Sequence, residues 1–321
     1  MRDLLSLPKA HLHVHLESTV RWATLREIGA ANGVEVPGRA GTLGDFVSFF
    51  ARNDLVRACL RRPADFRRIA YEFCEDESAQ GVRYAEVSFT AAGHGERLGM
   101  PLQAVLEGLA AGQDAFGIEC RLILDHSRRR SVERAWRTLD LARRHDGVVA
   151  IGLAGDEAHP GDPFTQVFAA ALDAGLHVVH HAGEGEGPAS IRQALGPGRA
   201  ERLGHGIRIL DDPDLVTEVR ERGIPLEVCP SSNVALGFAP SFDAHPLPAL
   251  RDAGLLVTLN TDIPALIDTS LTTEYANVRD TFGYDDHILA ELARNTVTAS
   301  FAPPETKTRL HREIATWLPP T

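Results

Sequence analysis

Short apolar runs alternate with longer helical patterns along almost the whole chain of 321 residues, and this alternation restricts the fold more than any other feature. Eight runs have the length and composition of strands, at residues 10–15, 83–90, 119–126, 148–154, 177–182, 202–205, 225–229 and 255–261. Between them, residues 65–80, 132–145, 164–174 and 213–222 show helical periodicity. Strands that alternate with helices along the sequence predict parallel βαβ units.

Periodicity alone does not separate a closed barrel from an open, doubly wound sheet, but the polar residues do. Nearly every predicted strand ends in His, Asp, Glu or Ser before a turn with Gly or Pro, as expected where reactive groups meet at the carboxyl ends of barrel strands. Neither GxGxxG after the first strand nor GxxxxGK[ST] occurs, which argues against nucleotide-cofactor folds. The sequence predicts a single α/β domain over residues 1–321, a (β/α)₈ barrel with extra helices over its mouth between residues 20 and 83.

Composition restricts the partners of the chain. The formal net charge is −11, and Lys9 and Lys307 are the only lysines. Nucleic acids and anionic membranes are usually bound by basic surfaces, so we expect neither as a partner and expect a small molecule instead. No apolar run approaches the roughly 20 residues that cross a bilayer. The first ten residues lack a secretory signal and the four cysteines lack CxxC spacing, which predicts a cytoplasmic location.

His13 and His15 lie at the end of the first predicted strand. Strand alternation points both imidazoles to one face, where neutral ring nitrogens can bind a single metal ion. The chain has fourteen histidines, so one such pair is weak evidence by itself. His11 shares the same face deeper in the strand, and we expect it to be a buried, hydrogen-bonded residue rather than a third ligand.

Three further strand ends carry groups that could act with this pair. Residues 180–184 read HHAGE, so His181 and Glu184 leave the fifth strand about one turn apart; they are either a ligand and an acid/base, or a strand-end histidine beside a helix N-cap. His205 lies between two glycines, which allow a close approach to a ligand. Asp262 ends the eighth strand as an oxygen ligand or as a turn aspartate.

The ends of strands one, five and eight together supply three histidines and an aspartate, the donor set of a catalytic zinc site, and leave Glu184 and His205 over. Such a site keeps an open position, and zinc lowers the pKa of a bound water to about 7. Binuclear relatives often bridge two metals with a modified lysine at the end of strand four, but residues 151–157 contain no lysine. We therefore expect one Zn²⁺ per chain. The HxE and PCxxC motifs of cytidine-type deaminases are also missing.

In their order and composition these motifs resemble the adenosine deaminase family, from Leu7 to about Arg312. The matching segments are residues 7–10, 13–16, 153–157, 181–184, 204–206, 229–233, 260–262 and 293–295. The resemblance implies a (β/α)₈ barrel with one zinc bound by His13, His15, His181 and Asp262. It also implies the activity, which is hydrolytic removal of an amino group from a nitrogen heterocycle with release of ammonia.

The resemblance also assigns roles within the site. Glu184 would protonate the ring nitrogen next to the carbon under attack, while His205 and Asp262 would orient and deprotonate the attacking water. Gly155 would offer its backbone N–H to another ring nitrogen. Glu17 would occupy the place of a carboxylate that contacts the sugar in the family.

Three departures from the family pattern restrict how far the resemblance identifies the substrate. Ser18 stands where glycine is usual, Ser88 stands where an arginine is usual, and Ile263 replaces the second of two aspartates, the one that grips the purine imidazole ring. We expect Ser18 and Ile263 to bind substrate, and the substrate to be an aminopurine nucleoside, a free base or a related amino-heterocycle. Adenosine is not implied, and the related activities of adenine deaminase and aminodeoxyfutalosine deaminase both stay open.

Two other classes of function remain as alternatives to a deaminase. The first is a catalytically silent, ligand-binding barrel. The second is a mononuclear metal hydrolase that cleaves a different bond, such as a lactam or phosphoester, and such an enzyme would not need Glu184 as a proton donor.

Overall fold

The computed structural model describes residues 1–38, 46–94 and 99–319, and within them eight parallel strands form one sheet in sequence order. The strands are β1 (Lys9–His11), β2 (Val82–Phe89), β3 (Glu119–Ser127), β4 (Val148–Ala154), β5 (His177–Ala182), β6 (Arg202–His205), β7 (Leu226–Val228) and β8 (Val257–Leu259). The predicted (β/α)₈ barrel is confirmed.

Helices connect the strands and follow the last of them. They are α1 (Trp22–Ala31), α2 (Phe46–Cys59), α3 (Pro63–Ala79), α4 (Gly99–Phe116), α5 (Val132–Ala142), α6 (Thr165–Asp173), α7 (Pro188–Leu195), α8 (Pro213–Arg222), α9 (Pro230–Ala235), α10 (Leu247–Asp252), α11 (Pro264–Ile267), α12 (Leu271–Phe282), α13 (Asp286–Ala299) and α14 (Pro304–Trp317). In the part of the chain that the structure describes, no helix is both long and apolar enough to span a bilayer.

Helix α5 illustrates how the sequence forms the outer layer. Its N-cap Ser131 accepts a hydrogen bond from the backbone N–H of Arg134, which satisfies one of the free donors of the first turn. Every third or fourth residue is buried against the sheet: Ala135, Thr138, Leu139 and Ala142. A fully buried leucine contributes roughly 1.5–3 kcal/mol, so the packing of this face, rather than helix propensity, holds α5 in place.

The barrel closes between its first and last strands through a side chain as well as the backbone. The side-chain Oδ1 of Asn260 accepts hydrogen bonds from the backbone N–H of Leu12 (2.9 Å) and of His13 (3.1 Å). Beyond it, the N–H of Asp262 donates to the carbonyl of His13, and the N–H of His15 donates to the carbonyl of Asp262, both at 2.9 Å. This closure brings the first and last strand ends together at the mouth.

The observed elements differ from the predicted ones mainly at this closure. Strands β4, β5 and β6 have the predicted bounds, whereas β1 ends at His11 and β8 at Leu259. Beyond β1, Val14 pairs with Asp262 and His15 with Ser88 as isolated bridges, while Leu12 and His13 are bound by the side chain of Asn260 instead of a ladder. The extra helices predicted after the first strand are present as α1, α2 and α3. Helix α2 lines the mouth, whereas α3 packs on the outside against α4 and β2.

Candidate active site

Four side chains converge at the carboxyl ends of β1, β5 and β8. One donor atom from each of His13, His15, His181 and Asp262 lies within 4.8 Å of the others. Nε2 of His15 is 3.1 Å from Nε2 of His181 and 3.2 Å from Oδ1 of Asp262. Nε2 of His13 is buried and has no hydrogen-bond partner among the described residues. Three imidazole nitrogens and a carboxylate oxygen directed at one point fit a zinc-type ion.

The other nitrogen of two of these imidazoles is bound to a buried carboxylate. Nδ1 of His13 lies 2.8 Å from Oε2 of Glu227 on β7, and Nδ1 of His15 lies 3.2 Å from Oδ2 of Asp125 on β3. Carboxylate partners of this kind fix the tautomer and the ring orientation of histidine ligands. They leave Nε2 of each ring available for a metal ion.

Glycines on neighbouring strands make room for these groups. A Cβ atom at Gly204 would lie 2.7 Å from Cε1 of His13, closer than side-chain atoms approach one another. A Cβ atom at Gly152 would overlap with Oδ1 of Asp125. Both glycines are therefore required by the positions of His13 and of the carboxylate that holds His15.

Two of the predicted catalytic residues have an unusual backbone conformation. His205 has φ of 64° and Asp262 has φ of 62°, in the left-handed region that non-glycine residues rarely adopt. Such a conformation costs on the order of 1–3 kcal/mol and persists only where the surroundings impose it. Residues of this kind cluster at active sites, so the strain is an independent indication of function at these two strand ends.

Glu184 and His205 lie beside the four converging side chains. Oε1 of Glu184 is 3.3 Å from Nδ1 of His205, and donor atoms of both residues lie within 4.8 Å of Asp262. The amide Nδ2 of Asn233, in α9, donates to Oε1 of Glu184 at 3.0 Å and lies 3.1 Å from Nδ1 of His205. Its Oδ1 in turn is 3.1 Å from Nε2 of His245. Asn233 therefore holds the two side chains together.

Burial and neighbouring charges set the protonation states of this group. Burial raises the pKa of Glu184 well above its ordinary value, and the negative charges of Asp262 and Glu157 raise it further. Burial, followed by the positive charge of His13, lowers the pKa of His205 to about 3. The site therefore favours a protonated carboxyl at Glu184 next to a neutral imidazole at His205.

A second glutamate fixes the backbone that carries Glu184. The carboxylate of Glu157, after β4, accepts the backbone N–H groups of Gly183 (2.8 Å), Glu184 (2.9 Å) and Gly185 (3.0 Å). Because the backbone is tied in this way, the side chain of Glu184 is available to the cavity. The N-cap of α7 is Gly187, so the alternative interpretation of Glu184 as a helix cap is wrong.

These groups line one end of a cavity of about 350 Å³. Gly155 and Ser18 line it as well, and Gly155 has φ of +95°, which favours glycine. Ile263 is 1% exposed and packs with Leu236 and Leu266 in an apolar cluster. Among the described residues, Leu236 and not Ile263 forms the cavity wall. The remaining wall is formed by Phe49, Asn53, Asp54, Arg57, Thr90, Gly93, Ser127, Arg129, Arg130 and Ala154.

Glu17 lines the same cavity and is 4% exposed. Its Oε1 accepts a hydrogen bond from the backbone N–H of Thr90 at 3.2 Å and lies 3.1 Å from Nε2 of His94. Burial by itself would raise the pKa of Glu17, but the hydrogen bond from His94 and the charges of His94 and Arg57 lower it below its ordinary value. Glu17 is therefore held as an anion.

Several of these partners were not expected from the sequence. Asp125 and Glu227 were detectable in principle, since Asp125 directly follows the apolar residues 122–124 of β3 and Glu227 lies between Leu226 and Val228 in β7. Asn233 lies in α9, inside the matching segment 229–233, although no role was assigned to it, and His94 lies in the short helix Ala91–His94 after β2 and carries no comparable signal. His11 has the role that the sequence indicated: it is buried, with Nδ1 2.8 Å from Glu77.

Comparison with known proteins agrees with this geometry. The family model described as adenosine deaminase matches residues 8–317. The chain belongs to the adenosine deaminase family. The adenine deaminase of Sinorhizobium medicae is 37% identical over 317 residues, which cover 95% of this chain and 97% of that protein.

Two solved structures are also similar to this chain. The adenine deaminase from Arthrobacter aurescens superposes with a TM-score of 0.92 at 30% identity, covering 97% of this chain and 98% of the other. An amidohydrolase from Burkholderia ambifaria, crystallised with bound Zn, gives a TM-score of 0.88 at 28% identity, covering 98% and 92%. The prediction of a hydrolytic deaminase is thus confirmed.

Proposed function

We propose that this protein is a zinc-dependent deaminase of aminopurines, and that adenine is its preferred substrate. The observation that carries the proposal is the position of Glu184, with a raised pKa, and of neutral His205, each within 4.8 Å of Asp262 in the metal-ligand cluster. A proton donor and a proton acceptor therefore lie next to the same part of the cavity. The family model spans almost the whole chain, which supports a single catalytic domain.

His13, His15, His181 and Asp262 would hold the metal ion. Their nitrogen and oxygen donors suit zinc, and the Burkholderia ambifaria relative contains Zn. Because β4 and the loop after it contain no lysine to bridge two metals, we infer one zinc per chain. When bound, zinc supplies hydroxide at neutral pH, since it lowers the pKa of a coordinated water to about 7.

The residues around the metal site have different roles in proton transfer. The neutral imidazole of His205 and the anionic carboxylate of Asp262 would together orient the attacking water and accept its proton. The protonated carboxyl of Glu184 donates to the ring nitrogen beside the carbon under attack. Oxygen adds to that carbon, the amino group takes up the proton removed from the water and leaves as ammonia, and the proton of the remaining hydroxyl group returns to Glu184. Enzymes commonly keep one group protonated and a neighbouring group deprotonated, so that an acid step and a base step can occur at the same pH.

The opposite end of the cavity favours a free base over a nucleoside. The two hydrogen bonds to Glu17 use Oε1, and a carboxylate has about four acceptor positions, so the anion can accept a further N–H. The imidazole ring of adenine carries such an N–H, whereas in adenosine the sugar replaces it. The backbone N–H of Gly155 would bind another ring nitrogen, with Ser18 alongside. The activity named for the similar proteins of Sinorhizobium medicae and Arthrobacter aurescens supports this choice.

A substrate panel tests the proposal. The zinc-loaded protein is incubated with adenine, adenosine, other aminopurines and aminopyrimidines, and released ammonia is measured. We expect adenine to give the highest kcat/KM and elemental analysis to give one zinc per chain. Release of no ammonia from any member by protein with full zinc would reject the deaminase and favour the silent binding barrel. Two tightly bound metals, or none after growth with zinc, would reject the metal site.

A second candidate substrate is an aminopurine that carries an anionic group. Arg57, Arg129 and Arg130 line the cavity at its open end, although Arg129 also pairs with Asp156 at 2.8 Å. Guanidinium groups are well suited to phosphate. Adenosine 5′-monophosphate should therefore be included in the panel at low and high salt. A higher kcat/KM for the nucleotide than for adenine, decreasing with salt, would favour this candidate.

A further inference from the structure

Below the metal-ligand cluster, the interior of the barrel contains a buried chain of charged residues. Arg202 on β6, Glu86 on β2 and Glu227 on β7 are each at most 1% exposed. Nη2 of Arg202 lies 2.6 Å from Oε2 of Glu86, and its Nε lies 2.6 Å from Oε1 of Glu227. The second oxygen of Glu227 lies 2.8 Å from Nδ1 of His13. A continuous path of charged contacts therefore leads from the barrel interior to a candidate metal ligand.

The orientation of Arg202 is fixed by the segment between α13 and α14. Its Nη1 donates to the carbonyl of Ala299 at 3.1 Å, and the ring of Phe301 covers the guanidinium carbon, 3.9 Å from the ring centroid. Glu86 is fixed as well, because it accepts the hydroxyl of Tyr84 (2.9 Å) and the backbone N–H of Phe301 (2.5 Å). The guanidinium therefore has one position, and that position selects which oxygen of Glu227 faces His13.

His15, the other metal-ligand candidate that follows β1, lacks this arrangement. His15 is bound to Asp125 at 3.2 Å, and the structure gives Asp125 no ion pair with an arginine or lysine among the described residues. Both histidines have a carboxylate partner, but only the partner of His13 is itself oriented by a buried cation. Buried charges cost several kcal/mol each unless they are paired, so the Glu86–Arg202–Glu227 chain persists only as a complete unit.

We propose that Arg202 is a positioning residue that acts through Glu227 on His13 and sets the affinity of the metal site. The inference rests on the zinc centre proposed above. Removal of an outer partner of a metal-ligating histidine typically weakens metal binding about 10–100-fold. Arg202 is one contact further out, but its guanidinium bridges Glu86 and Glu227, so loss of this bridge should have an effect within this range.

Arg202→Lys tests the proposal, because an ammonium group keeps the charge but cannot reproduce the two separate contacts of a guanidinium. The zinc dissociation constant is measured by competition with a chelator, and the site geometry by the visible spectrum of the Co²⁺-substituted protein. We expect the dissociation constant to rise about 10–100-fold with an altered Co²⁺ spectrum. In excess zinc, kcat should return to within about threefold of wild type, since Arg202 does not contact the reacting groups.

Lys9→Met is the matched control. Lys9 is another buried cation of the barrel, bound to the carbonyls of Leu4 and Leu7 and, among the described residues, without a contact to the metal-ligand cluster. Its loss should lower the melting temperature without changing the zinc dissociation constant. If Arg202→Lys also lowers the melting temperature only, Arg202 is merely structural and the proposal is overturned.

A double variant tests the route through Glu227. If Arg202 acts through Glu227, the zinc dissociation constant of Arg202→Lys/Glu227→Gln should match that of Glu227→Gln alone; effects that multiply would overturn the route. Should Arg202→Lys fail to fold, Phe301→Leu removes only the ring that covers the guanidinium, and an unchanged dissociation constant in that folded variant would overturn the proposal. Failure of the wild-type chain to bind zinc would instead reject the zinc centre itself.

Discussion

The two ends of the cavity each contain a buried glutamate, and the protein shifts their pKa values in opposite directions. Glu184 has nearby anions, Asp262 and Glu157, which add to the effect of burial and raise its pKa. Glu17 is buried to a similar degree, but His94 and Arg57 reverse the effect of burial and lower its pKa. The same type of side chain is therefore a proton donor at one end of the cavity, as Glu184, and an anionic acceptor at the other, as Glu17.

This comparison shows that burial alone does not determine the role of a carboxyl group. Burial always favours the neutral form, and the sign of the surrounding charges decides the outcome. At the metal end the charges come from strand ends that converge by barrel closure. At the other end they come from α2 and from the short helix after β2, so the acceptor depends on connecting segments rather than on the barrel itself.

The largest effect is expected for Glu184→Gln, which removes the proton donor but keeps the shape and the bond from Asn233. Turnover of adenine should fall about 10²–10⁴-fold, the usual contribution of a general acid, while the zinc content stays at one per chain. His181→Ala is the contrasting variant and should lose zinc and turnover together. Turnover of Glu184→Gln within about threefold of wild type would show that another group donates the proton.

A smaller effect is expected for Glu17→Gln, which removes the anion at the other end. A hydrogen bond to a charged group contributes about 1.5–3 kcal/mol, so kcat/KM for adenine should fall about 10–150-fold, chiefly through KM. Glu274→Gln is the matched control, since Glu274 is fully buried but bound to Ser231 and Thr269 behind the site. If KM for adenine does not change in Glu17→Gln, this end of the cavity does not bind the imidazole ring.

The pKa of Glu17 itself can be tested through His94→Phe. The new ring can keep the stacking on Phe89, where the present ring centroids are 5.4 Å apart, but it loses the bond to Glu17. Loss of a bond of about 0.5–1.5 kcal/mol predicts a 2–12-fold fall in kcat/KM. Without the bond that lowers it, the pKa of Glu17 rises, so on acidification the variant should lose adenine binding at a higher pH than wild type. Superimposable profiles of KM against pH would contradict this.

Strands β4, β5 and β6 were predictable because each is a short segment with apolar residues bounded by turns, whereas the ends of β1 and β8 depend on the distant contacts of Asn260. His13 and His15 were identifiable as a pair from alternation alone. The roles of Glu184 and His205 required the family motifs. The partner of His13, Glu227, is 214 residues away in sequence, and Asn233 meets Glu184 only because β5, β6 and β7 adjoin in the closed barrel. No local pattern encodes such contacts.

The smallest effect on catalysis is expected at Ile263, which lies beside Asp262 but packs under Leu236. Ile263→Asp would place a carboxyl group in apolar surroundings, so the melting temperature should fall. Because the side chain does not form the cavity wall, the ratio of kcat/KM for adenosine to that for adenine should change less than about threefold. Ile263→Leu, which conserves volume, should leave both quantities near wild type.

The same variant decides between two interpretations of this position. In the adenosine deaminase family an aspartate here grips the purine imidazole ring, and the substrate contact predicted for Ile263 rests on that comparison. If the aspartate of Ile263→Asp reached the ring, adenosine would gain a charged hydrogen bond of about 1.5–3 kcal/mol and its kcat/KM would rise at least about tenfold. A gain of that size, measured at a temperature where the variant is fully folded, would show that position 263 acts by direct contact. Its absence would show that Ile263 acts on the substrate only by supporting Leu236.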